Sequence, residues 1–432
     1  MKKEFIPKII GSILTLIFIL IFLSFNRGES NYVSQDPEEE IPIAINLIIT
    51  NELSDFKQGA KLDREIERFM QQWGIKGASL AIMKDEKLVY AKGYGWADQE
   101  LGQRCEPKHI FRIASLSKLI TAVAIMKLQE DGYLDISDRI FLENGPLDIP
   151  IFSDVIKDRR IRSITVEDLL RHRGGFSSRY GDPMFNLPLI IRRTNTDSTL
   201  TTDQIISYAL SQRLSFSPNT GTRYSNLGYL ILSRLIEQVT QQSYEEYVKE
   251  NILKPIGIYD MHLANNYYEE RYQNEVRYYE PLDSDPIESY DGSGRFLPRS
   301  YGGNNIRGLL GAGGWVASSS ELLKLVAAID GKDNVPDILS QESIEIMTKF
   351  NKSYLPIGWS RCTPQGDWTR TGNLAGTSAI IKHNRDGYSW VFITNTSSWK
   401  GANFPPEIAQ MIRRASNKID VWPERDLFNP QT

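Results

Sequence analysis

Histidine and cysteine are the scarce residues of this chain, at 4 and 2 of 432. His109, His172, His262 and His383 stand far apart, and Cys105 and Cys362 complete no metal-ligand spacing with them. Two cysteines also argue against a fold built on a disulfide framework, and whether this pair meets is left open. A basic tract is missing too: Lys and Arg number 50 against 54 Asp and Glu, for a net charge of −4. Nothing here would neutralise a row of phosphates, so nucleic acid is not an expected partner. No internal repeat and no Gly-x-Ser-x-Gly elbow occur.

Long apolar runs are absent except for one. Lys2, Lys3 and Lys8 precede Ile9–Phe25, which carries no charge. As a helix this run spans about 26 Å at ~1.5 Å per residue, the short end of a bilayer crossing. No small-x-small cleavage site follows near Ser24–Ser30, and no cysteine is placed for a lipid. An uncleaved anchor is therefore expected within 1–25, touching the membrane through 9–25. The rest is expected on the extracytoplasmic side, periplasmic or cell-surface; a cleaved, secreted form is the alternative. Residues 26–60 read as a linker, 61–415 as the folded body and 416–432 as a tail.

Within the body, Lys61–Trp73 has helical spacing, and two apolar runs, Ala78–Met83 and Lys87–Tyr94, read as a hairpin. Further helices are expected at Thr165–Arg171, capped by Thr165 with Asp168 in the capping-box place, and at Thr202–Leu210, Asn226–Val239 and Tyr244–Ile252. Two more follow at Ser319–Ile329 and Gln341–Thr348, with Arg179–Leu200 a polar loop on the rim of a site. Strand signals return at Tyr354–Trp359, Trp368–Arg370, Ser378–His383 and Tyr388–Thr394, and Pro405–Ala415 closes as a helix. Strands at both ends and helices between predict an α+β fold: one antiparallel sheet built from both chain ends, flanked by helices, with an inserted mainly helical lobe.

Three stretches carry chemistry. In FRIASLSKLITAVAIMKLQED, Ser115 and Lys118 lie three apart at the start of an apolar helix striped by Leu119, Ile120, Val123, Met126 and Leu128. Such spacing puts a hydroxyl beside an amine that can take its proton. The pairs Ser54/Lys57 and Ser397/Lys400 have the same spacing but open no apolar helix. In SPNTGTRYSNLGY, Tyr224 and Asn226 sit on a turn before a helix, where a phenol can relay a proton and an amide can orient a carbonyl. In WTRTGNLAGTS, Arg370 offers a cation for a carboxylate, and Thr371 and Gly372 lie at a strand end. Gly372 lets a substrate approach, and the Asn373 N–H could join that of Ser115 as an oxyanion donor.

In this order, FRIASLSK, RYSNLGYLIL and TRTGNLAGTS resemble the three active-site motifs of the serine β-lactamase and penicillin-binding-protein superfamily. They are most similar to its class C β-lactamase-like branch. TVEDLLRHRGG, KPIGIYDMH and GAGGWVASSSELLKL are similar to segments of that branch as well, so the likeness covers about 61–415. The resemblance implies a β-lactamase/transpeptidase-like fold and an exported serine hydrolase that cleaves an amide or ester through an acyl-Ser115 intermediate, with no metal or cofactor. It implies Lys118 as proton partner, Tyr224 as general base or relay and Asn226 as an orienting amide, with the choice of base between Lys118 and Tyr224 open. The implied substrates are D-amino-acid peptides, including peptidoglycan-derived ones, then β-lactams and esters. The family usually has Lys or His where Arg370 stands. Arginine keeps the charge but releases no proton, which favours substrates with a carboxylate near the scissile bond. It also leaves room for a catalytically weak sensor or binding protein. A Ser-His-Asp triad is the competing layout, but no histidine has a comparable setting, and the resemblance assigns His172 to structure.

Overall fold

The middle of the main sheet is sewn from residues more than 300 positions apart: Ala78 lies opposite Thr394, and Lys84 opposite Tyr388. The structure, a computed structural model, describes residues 42–179, 181–196 and 199–429. The anchor expected at 9–25 and the first part of the linker, 26–41, lie outside the described residues. Among the described residues, no helix is long and apolar enough to cross a membrane.

Seven antiparallel strands form the sheet: β1 (Gly77–Lys84), β2 (Lys87–Asp98), β3 (Gln103–Arg104), β4 (Arg361–Cys362), β5 (Trp368–Leu374), β6 (Thr377–His383) and β7 (Tyr388–Thr394). Their spatial order is β3-β2-β1-β7-β6-β5-β4. Successive side chains of a strand point to opposite faces, and both faces here are buried. Leu80, Ile82, Ile380 and Phe392 pack against α1 (Gly59–Trp73) and the closing helix Pro405–Ser416. Ala81, Met83, Ile381 and Val391 join the larger core of the helical lobe. This is the architecture expected from the sequence.

At the heart of that lobe runs α2 (Ser117–Glu130). The sequence suggests a stripe, yet Leu119 through Met126 are buried without a break, because lobe and sheet enclose the helix on all sides. Val166–Leu170 has the reciprocal capping box of Thr165 and Asp168. The expected strand at Tyr354–Trp359 is irregular instead. Pro356 has no N–H to give, and Gly358 takes φ +75 where a Cβ would meet Ala122 at 2.9 Å.

The ends of the chain are more ordered than their composition suggests. From Ile43 onward the chain forms one unit. Ile45 and Ile49 are buried, and Asn46 Nδ2 donates to Asp260 Oδ2 at 2.7 Å, so residues from 43 strap the body rather than link to it. In the tail, Leu427 is buried and its N–H donates to Leu88 O at 2.8 Å. Cys105 and Cys362 are both free, at opposite edges of the sheet, and burial pushes each thiol up to about 12.

Candidate active site

Ser115 sits not in α2 but on the 3-10 turn Ala114–Leu116 that leads into it, and Ala114 holds φ +49 to make that turn. A non-glycine residue in this region is strained, and such strain gathers at functional sites. The turn still leaves Lys118 beside the serine, with Nζ 3.3 Å from Ser115 Oγ. Lys118 is fully buried, and its ammonium also donates to Asn226 Oδ1 at 2.7 Å and to Ala312 O. Three donors thus meet three acceptors. Burial lowers its pKa, opposed by the charge of an ionised Tyr224 and aided by that of Arg370.

Tyr224 O–H donates to Ser115 Oγ at 2.7 Å. Nearly half of this residue's surface is open (48%), yet its hydroxyl end is hemmed in by protein atoms, which decides its acidity. Burial alone would raise the phenol; the charges of Lys118 and Arg370, with the hydrogen bond to Ser115, outweigh it and bring the pKa down to about 8. Ser225 caps helix α3 (Asn226–Thr240) by accepting from Gly228 N, so Asn226 is the first helical residue and not the cap.

Two supporting residues were not singled out as functional from the sequence. Asp182 Oδ2 accepts from Asn226 Nδ2 at 2.7 Å, which fixes the amide so that its oxygen faces Lys118. It comes from the segment expected to be a loop, which in fact forms the turn Pro183–Phe185 and the helix Leu187–Thr194. His172 lies against Tyr224, ring centroids 4.4 Å apart, and accepts from Ser225 N at Nδ1. Burial, then the charges of Lys118 and Arg370, hold its pKa well below the usual value, so it is a neutral prop. A buried histidine and a loop aspartate carry no spacing signal. The Ala312 carbonyl was equally hidden, in a turn where Leu310 takes φ +42.

Strand β5 forms the other wall. Its alternation turns Arg370 and Gly372 inward and leaves Thr371 and Asn373 half-buried on the cleft side. Gly372 runs so close to the nucleophile's turn that a Cβ would stand 2.5 Å from Ile113 O and 3.1 Å from Ser115 N. The sequence-based expectation for Arg370 is corrected here. Only 1% of it is exposed; Nε donates to Ser115 O at 2.7 Å and Nη2 to Tyr224 Oη at 3.4 Å. The guanidinium is committed to Ser115 and Tyr224 rather than held out for a carboxylate. Ser115, Tyr224, Asn226, Thr371, Gly372 and Asn373 all line one cleft of about 280 Å³.

Comparison with known proteins identifies the family. The profile of the family described as Beta-lactamase matches residues 62–405. The putative penicillin-binding protein PbpX of Bacillus subtilis is 23% identical over 395 residues, 89% of this chain and 88% of that protein. Protein flp of Staphylococcus aureus (strain MW2) is 29% identical over 196 residues, 45% of this chain, a match that spans only 36% of flp's own length. Among solved structures, the D-amino acid amidase from Ochrobactrum anthropi SV3 superposes with a TM-score of 0.64 at 21% identity, covering 83% of this chain and 99% of that one. The octameric penicillin-binding protein homologue from Pyrococcus abyssi gives 0.62 at 24%, covering 84% and 77%. The matched profile spans most of the chain and takes in Ser115, Lys118, Tyr224 and Arg370, so the protein belongs to the beta-lactamase family.

Proposed function

We propose that the protein is a serine hydrolase that cleaves D-aminoacyl amide or ester bonds through an acyl-Ser115 intermediate. The observation that carries this reading is Ser115 Oγ held between Tyr224 O–H at 2.7 Å and Lys118 Nζ at 3.3 Å on the floor of an open cleft. With the three Lys118 donors occupied, the lysine serves as an ammonium and Tyr224, as phenolate, takes the serine proton. Oγ then bonds to the substrate carbonyl carbon, and the Ser115 and Asn373 N–H groups receive the oxyanion. The C–N or C–O bond breaks, and the proton passes from Tyr224 to the leaving group. Water repeats the sequence on the acyl-enzyme and frees the acid. The D-amino acid amidase and penicillin-binding-protein relatives favour D-amino-acid peptides and amides as the natural class, with β-lactams as reactive analogues. Residues 9–25 would hold the enzyme at a membrane with its catalytic body outside the cytoplasm. Recovery of the full chain in a carbonate-washed membrane pellet tests that placement, and recovery in the soluble fraction would reject it.

The decisive experiment is intact-protein mass after incubation with a penicillin and, separately, an activated ester. A single added acyl mass on the wild type, absent from Ser115→Ala, is expected, formed faster from the neutral ester than from the penicillin, whose carboxylate lies on its leaving side. No adduct and no consumption of either probe would refute the reading. A permanent adduct without turnover would instead make the protein a sensor. The pH dependence is a second expectation. Because the phenolate form of Tyr224 grows in as pH rises through about 8, the acylation rate should climb with a midpoint near that value. Tyr224→Phe should remove this limb, and stopped-flow acylation between neutral and alkaline pH reads it directly.

A further inference from the structure

The cleft that holds Ser115 has no charged residue among those that line it within the described chain. Its polar groups are hydroxyls and amides. Ser360 and Thr371 stand 3.4 Å apart as a hydroxyl pair, with Thr371 N donating to Ser360 Oγ at 3.2 Å. The two cations at the site lie beneath it. Lys118 is shared among three oxygens, and Arg370 is tied to Ser115 O and Tyr224. Beside the cleft, a hollow of about 450 Å³ shares Asn373 and Leu374 with it and, among the described residues, sets Glu280, Asp283 and Asp285 against one cation, Arg299. Asp182, behind Asn226, adds another negative charge.

We infer that the leaving side of the substrate carries no free carboxylate: the site takes carboxamides and esters in preference to C-terminal acids. This rests on the acyl-enzyme reading above and narrows it. A carboxylate entering this cleft would shed water without gaining a cation, and a buried unpaired charge is strongly disfavoured. The acidic hollow adds repulsion that reaches about 8 Å at physiological salt. A neutral amide keeps its hydrogen bonds through the Ser360–Thr371 hydroxyls and loses nothing. For such a substrate the Oγ–C bond forms, the C–N bond breaks and the serine proton departs on the amine; water then restores Oγ–H and yields the acyl acid.

The test is a matched pair with the full chain: an N-acyl-D-alanyl-D-alanine bearing a free C-terminal carboxylate, and the same dipeptide as its carboxamide. A neutral D-alanyl ester serves as a separate probe of Ser115. The expected result is a kcat/KM at least about 10-fold higher for the carboxamide, carried mainly by KM and shrinking as salt is raised. Ser360→Arg, which brings a cation into the cleft, should narrow the gap by lowering KM for the free acid. If the ester acylates Ser115 but the free acid is turned over as well as the carboxamide or better, this inference falls and the acyl-enzyme reading stands. If the ester does not acylate Ser115, both fall.

Discussion

Replacing Lys118 with alanine is expected to slow acylation of Ser115 by about 1000-fold or more, a barrier increase of ~4 kcal/mol. The side chain does three jobs at once. It steadies Ser115 Oγ, it orients Asn226 through Oδ1 and it ties down the Ala312 carbonyl. It is also the leading charge that lowers Tyr224 against the effect of burial, so the variant should need a higher pH to reach what activity remains. The Ala312 and Asn226 oxygens would lose their donor, at ~1–3 kcal/mol for each buried group left unsatisfied. Removal of a buried ammonium offsets part of this, so the folded state should survive while catalysis does not. Single-turnover acylation beside a thermal melt separates the two effects. A variant within about 10-fold of wild type would show that Tyr224 is poised without the lysine.

Gly372→Ala is expected to be nearly as damaging without touching a reactive group. Its Cβ would sit 2.5 Å from Ile113 O, a backbone atom that no side-chain rotation can move. Strand β5 must therefore draw away from the Ser115 turn, carrying Asn373 and its N–H with it. Displacement of reacting groups by about 1 Å costs on the order of 100-fold in rate, and overpacking of this kind costs ~1–3 kcal/mol of stability. The loss should fall on kcat more than on KM, because the cleft remains open while the oxyanion donor shifts. Steady-state kinetics on an activated ester reads that split. Unchanged kcat would mean that the Asn373 N–H takes no part in the reaction.

Sequence patterns exposed the parts of this fold that repeat with a period. Short apolar runs broken by turn residues marked the central strands Ala78–Met83 and Tyr388–Thr394, and Thr165 with Asp168 marked a helix start confirmed by both hydrogen bonds of the capping box. The same logic failed where burial is two-sided. Helix α2 is apolar all round, so its stripe understated its place at the centre. The inward turn of Arg370 was hidden for a related reason. Strand alternation alone does not say which face meets the cleft, and a charged residue was assigned to the substrate by its chemistry. The candidate-site side chains were legible because Ser115–Lys118 and Tyr224–Asn226 are local pairs. Asp182, His172 and the Ala312 carbonyl act across 44, 53 and 194 positions. Only the folded chain brings such distant groups together.

The pairing of Ala78 with Thr394 also sets an order of events during synthesis. Ser115 and Lys118 emerge more than 200 residues before the strand that carries Gly372 and Asn373 and before the one that locks β1 in place. Long-range strand pairing is slow and leaves edges open meanwhile. Until β5 has paired, the Ser115 turn therefore lacks the wall against which Gly372 packs it.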